Sequence, residues 1–122
     1  MAARLLSAGA LLGVTGVVLG ALGAHGGALS ESSSWDTAVH YQLIHAVVLV
    51  ALGLVHNEVQ SLSKAYLVAG WLMVAGVLLF SGSIYLLVLG GPSWLGPVTP
   101  LGGVCFIVGW VTLLWASFSV RK

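Results

Sequence analysis

Charge is what this sequence has least of. Four basic and three acidic side chains serve 122 residues, 6% in all, against about 25% in ordinary soluble domains. That scarcity excludes a globule covered by polar surface. It also excludes a nucleic-acid footprint, because the net charge is only +1 and no basic patch interleaves with aromatics. The acids are too scattered for paired-carboxylate catalysis. Glu31 and Asp36 read as connector or cap residues, and Glu58 falls at the opposite end of the apolar segments. Cysteine is nearly absent too. Cys105 stands alone inside an apolar stretch, so there is no intrachain disulfide and no CxxC site. The sequence has no P-loop, no GxSxG and no HExxH. These absences weigh against an enzyme.

What the chain has instead is long apolar runs. It is 59% hydrophobic with a mean hydropathy of +1.09. Four stretches, at about 4–24, 36–55, 64–89 and 99–120, are near or above the roughly 20 residues that cross a bilayer as a helix. The reading is an all-α membrane protein. It forms a four-transmembrane-helix bundle, one integral membrane domain over residues 1–122. The connectors carry breaker chemistry: Gly26-Gly27 through Ser34, His56-Asn57-Glu58, and Gly90-Gly91-Pro92 with Gly96-Pro97. Ser34 or Asp36 suits the cap of the second helix, and Thr99-Pro100 the start of the fourth. The first run is too long for a signal-peptide core, so it reads as a retained helix.

An even number of spans puts both termini and the middle connector on one side. Arg4, Lys64, Arg121 and Lys122 all fall there. The positive-inside rule makes that side cytoplasmic and the location a bacterial inner (plasma) membrane.

Glycine is plentiful, with 17 residues. In the first span Gly9, Gly13, Gly16, Gly20 and Gly23 follow three- and four-residue spacings, which gathers them on one broad face for close helix packing. Gly102 and Gly103 open the fourth span, and close packing is the simplest reading there as well. An anion site at that helix start is the other reading.

Polar residues inside the spans gather toward the outer half. His25 ends the first helix, and Tyr41, Gln42 and His45 lie early in the second. Ser81, Ser83 and Tyr85 lie late in the third, and Thr99 opens the fourth. Tyr41 and Gln42 precede His45 by four and three residues and share its helix face. Ser81 and Tyr85 share a face likewise, while Ser83 points elsewhere, toward its own backbone. His40 is five residues before His45, about 140° around the helix, so the pair does not ligate one metal. A metal site would need His45 with His25. Trp35 and Trp94 read as belt anchors at the outer boundary, and Trp71, Trp110 and Trp115 as belt or packing residues within or near the inner side. Cys105 reads as a small packing residue.

Four ordered stretches carry a family resemblance: Gly20-Ala-Leu-Gly-Ala-His25, Trp35-Asp-Thr-Ala-Val-His-Tyr41-Gln42-Leu-Ile-His45, Leu79-Phe-Ser81-Gly-Ser83-Ile-Tyr85, and Val98-Thr99-Pro100-Leu-Gly102-Gly103 leading to Gly109-Trp110. The chain resembles the small bacterial membrane proteins grouped as domain of unknown function number 423, and is similar to the eukaryotic transmembrane protein 256 proteins. The resemblance covers nearly the whole chain. It implies a four-helix membrane protein of about this length and brings no settled activity. By motif it picks out His25, Tyr41, Gln42, His45, Ser81, Ser83, Tyr85, Thr99, Pro100, Gly102 and Gly103, and leaves His40 aside.

Several functions compete. The leading expectation is a binding protein whose outer-leaflet pocket holds a lipid headgroup, a quinone-like molecule or another small amphiphile. The polar end would meet His25 and His45, with Tyr41, Gln42, Ser81 and Tyr85 adding hydrogen bonds. The alternative is an accessory or assembly subunit of a larger membrane complex, respiratory ones included, with the polar cluster as glue between helices. A homo-oligomer is a further partner reading. A transporter or channel is disfavoured by the aliphatic inner half. No cofactor is expected. A metal or haem on His45 is the remaining reading, with no ligand-spacing pattern behind it.

Overall fold

Each long apolar run becomes a helix because a backbone in hydrocarbon must satisfy its own hydrogen bonds. The computed structural model describes residues 2–58 and 64–120. Arg121 and Lys122 lie outside them. Helix α1 spans Ala2–His25 and α2 spans Ser33–Glu58, joined by a 3-10 turn at Gly27–Glu31. Helix α3 spans Lys64–Gly76, and a π turn at Val77–Ser81 joins it to α4, Gly82–Val88. A second 3-10 turn, Ser93–Leu95, leads into α5, Val98–Val120. Four spans are long and apolar enough to cross a membrane, with α3, the π turn and α4 counted as one.

Two connectors depend on glycine. Gly27 (φ 59°) and Gly90 (φ 96°) hold left-handed backbone that other residues adopt at a cost. At the second, the Gly90 and Gly91 N–H groups donate to the carbonyls of Leu87 and Leu86, which closes the end of α4. Helix α2 runs through His56, Asn57 and Glu58. Those residues were expected to open a connector; their polarity does not stop a helix already committed to the bundle.

The chain forms two helical hairpins. Helix α1 packs chiefly on α2, and α3 chiefly on α5; α2 then meets α3, the π turn and α4. At the end that holds the start of α1, Leu5, Leu49 and Met73 are fully buried, with Leu12, Leu52, Leu67 and Leu113 packed around them. The fully buried side chains of this half are aliphatic, with Trp71 packed at their edge. The opposite half holds the buried polar side chains, so the bundle has two differently built layers.

Candidate functional site

The second layer is organised by Gln42. Its side chain is 3% exposed. Its Nε2 donates to the Leu12 carbonyl (3.0 Å) and to Thr15 Oγ1 (2.8 Å), tying α2 to α1. Its Oε1 accepts from the Tyr85 hydroxyl at 2.7 Å, tying α2 to α4. One amide therefore joins three helices, and all three bonds are made by atoms whose only other choice is hydrocarbon.

His45, one turn further along α2, is equally buried at 4% exposure. Its Nδ1 lies 2.6 Å from the Tyr41 carbonyl oxygen, and its Nε2 lies 3.0 Å from Trp110 Nε1. The partners fix the tautomer. A carbonyl only accepts and an indole N–H only donates, so Nδ1 carries the proton and Nε2 accepts. The imidazole stacks on Phe106 with centroids 3.9 Å apart. Both ring nitrogens thus have partners within the chain. No cluster of three or more histidine, cysteine or acidic side chains able to hold a metal occurs among the described residues.

Serines complete the layer. Ser81, fully buried, donates to the Ala38 carbonyl of α2 at 2.7 Å. Ser83 does turn to its own helix, at the Phe80 carbonyl (3.0 Å), and also meets Thr99 Oγ1 of α5 at 2.5 Å. The π turn sets these directions. The Gly82 N–H donates to Val77, five residues back, so one extra residue re-phases the helix just before Ser83 and Tyr85.

Other expected members stand apart. Tyr41 is 40% exposed and joins an aromatic group with Phe80 (4.8 Å) and Phe106 (5.8 Å), while its backbone carbonyl serves His45. His25 is exposed at the end of α1, in a groove with Val18, Ala21, Leu22 and Gly26. The structure does not bring it to His45.

Three aromatic and hydroxyl residues were read wrongly or missed. Trp35 is not a belt anchor: it is 2% exposed, donates from Nε1 to the Leu19 carbonyl at 2.8 Å, and packs against Tyr85 with the rings tilted by 57°. Gly23 makes room for its ring. Trp110 lies near mid-span, not toward the inner side, and is the partner of His45. Thr15, not among the expected site residues, belongs to the Gln42 network. Depth along each span was the available signal: Thr15, His45 and Trp110 all fall near the middles of their helices. Trp94 and Trp115 are exposed, at 67% and 73%.

The glycines divide by what they face. A Cβ at Gly9 would meet the Val50 nitrogen and Ala46 oxygen at 2.8 and 2.9 Å, and one at Gly16 would meet Leu43. Gly20 faces Val39. Gly13 departs from the expected packing face: no atom lies within 4 Å of a Cβ there. It lines a surface groove with Ala10, Ala46 and Val47. Gly102 lies against the Phe80 backbone of the π turn, while Gly103 only reaches the edge of the Phe80 ring.

Comparison with known proteins agrees with this architecture. The family model described as "Protein of unknown function (DUF423)" matches residues 19–103, which contain Gln42, His45, Ser81, Ser83, Tyr85 and Thr99. A UPF0382 membrane protein of Staphylococcus aureus (strain bovine RF122 / ET3-1) is 43% identical over 115 residues, 91% of this chain and 92% of the relative. One from Staphylococcus haemolyticus (strain JCSC1435) is 42% identical with the same coverage. The UPF0382 membrane protein YwdK of Bacillus subtilis (strain 168) is 40% identical over 113 residues, 89% of this chain and 91% of the relative. No solved structure matches the chain. A family model spanning most of the sequence, and bacterial membrane-protein relatives matched almost end to end, show that this multi-pass membrane protein belongs to the DUF423 family.

Proposed function

We propose that the chain is an accessory or assembly subunit of a larger membrane complex, with its polar layer serving as the lock of its own bundle. One observation carries this reading: the polar layer is closed on itself. The buried side-chain atoms of Gln42, His45, Ser81 and Ser83 all have hydrogen-bond partners within the chain. A small amphiphile would need some of those groups free. Of the set expected to bind it, only His25 and the Tyr41 side chain stand outside the network. A bundle whose polar groups are spent internally acts through its outer faces, and partner proteins are what such faces meet besides lipid.

The test is migration. Tagged chain extracted from native membranes in mild detergent is expected to run on native gels with a larger assembly, and to lose that position when excess detergent strips its partners. Migration at the size of the free 12.5 kDa chain under the mildest extraction overturns the reading.

The same proposal places both termini in the cytoplasm, with Arg4 and Lys64 at that face. In a Cys105→Ala background, Ser30→Cys in the exposed first connector is expected to react with an impermeant maleimide in intact cells. Lys64→Cys is expected to react only after the cells are opened. The reverse pattern inverts the topology.

A further inference from the structure

The aliphatic end of the bundle carries a feature unrelated to the polar layer. A groove of about 560 Å³ runs along α3, lined by Lys64, Leu67, Val68, Trp71 and Leu72. These positions follow three- and four-residue spacings and so form one stripe up the helix. The stripe is polarised. Lys64, the first residue of α3, is exposed, and the lining beyond it, Leu67, Val68, Trp71 and Leu72, is apolar. From Lys64 to Leu72 the rise is about 12 Å, close to the depth of one leaflet, about 15 Å of hydrocarbon.

A second groove, about 330 Å³, lies between α3 and α5 and is bounded by Ala65, Thr112 and Trp115. Val68 lines both. The surface therefore offers two apolar channels, divided by one valine, with a cation at their membrane-surface end. Trp71 Nε1 is buried away from this surface.

We propose that this surface binds one diacyl anionic phospholipid of the adjacent leaflet. The phosphate pairs with the Lys64 ammonium, and the two acyl chains lie on either side of Val68. Charge complementarity selects the headgroup. Lys64 and Arg4 are exposed at this end, and Glu58 is the one acid of the sequence there, its side chain outside the described residues. Shape selects two chains rather than one. A zwitterionic lipid fits the channels equally well but carries a choline or ethanolamine cation toward Lys64. None of this depends on the proposed partner complex.

The experiment uses the full chain in mild detergent with equimolar dioleoyl phosphatidylglycerol and dioleoyl phosphatidylcholine, read by native mass spectrometry. The wild type is expected to retain the anionic lipid about fivefold over the zwitterionic one, the effect of one lysine near a membrane surface. Lys64→Gln should bring the ratio to about one, Lys64→Arg should keep the preference, and Arg4→Gln should leave most of it. Palmitoyl lysophosphatidylglycerol, with one chain, should be displaced by the diacyl lipid. Equal retention of both lipids by the wild type overturns the site. So does a preference that survives Lys64→Gln, or one that Arg4→Gln abolishes as completely.

Discussion

Gln42→Met is expected to destabilise the bundle by about 2–3 kcal/mol, measured by reversible unfolding in bicelles titrated with dodecyl sulfate. Methionine nearly keeps the volume, so the loss is polar. Single hydrogen bonds between membrane helices average about 0.6 kcal/mol and reach about 1.7. Gln42 makes three, to Leu12, Thr15 and Tyr85. Removing it also leaves the Tyr85 hydroxyl without its acceptor, and an orphaned buried group costs about 1–3 kcal/mol. Tyr85→Phe alone should cost about 1 kcal/mol. The informative variant combines the two. With the hydroxyl gone there is nothing left to orphan, so the double variant should be more stable than the two losses added, by about 0.5–1 kcal/mol. Strict additivity would mean that Gln42 and Tyr85 are not coupled, and the lock reading would fail with it.

The second large effect concerns two glycines with the same apparent role. Gly102→Ala should cost about 3 kcal/mol, the upper range for overpacking, because its new Cβ meets the Phe80 nitrogen and Cα. Backbone in a π turn cannot rotate aside as a side-chain tip can. Gly13→Ala should be neutral or stabilising by up to about 1 kcal/mol, since alanine favours the helix and nothing lies within 4 Å. The same unfolding assay compares them. Equal costs at both positions would show that the α5 contact with the π turn is looser than described.

The spans were legible in the sequence because length and hydropathy act locally: a run of apolar residues has no soluble alternative. The gathering of polar residues was legible as well, since depth follows from counting along a helix. Their partners were not. Trp110 lies 65 positions from His45, and a tryptophan in an apolar run reads equally as a belt residue, a packing residue or a donor. Trp35 sits where belt anchors sit, and only the gap left by Gly23 on α1 lets it turn inward. Gly13 obeys the spacing that defines the packing face yet sits at its edge, where α1 and α2 part into a groove. The π turn was hidden for a different reason. The third span reads as one uninterrupted helix because no proline marks Val77–Ser81, and the close contact made there comes from another helix, at Gly102.

Among the described residues, the side-chain bonds between the two hairpins all run one way. Ser81, Tyr85 and Trp110, from the second hairpin, are the donors; the Ala38 carbonyl, Gln42 Oε1 and His45 Nε2, from the first, are the acceptors. The Gln42 amide and the His45 Nδ1–H, donors of the first hairpin, are already used within it, on α1 and on its own backbone. At the seam the first hairpin therefore presents a row of lone pairs. A second copy of itself presents lone pairs at the same places and cannot complete it. The complementary row of donors arrives with the later half of the same chain, so each half of the bundle carries what the other lacks at this seam.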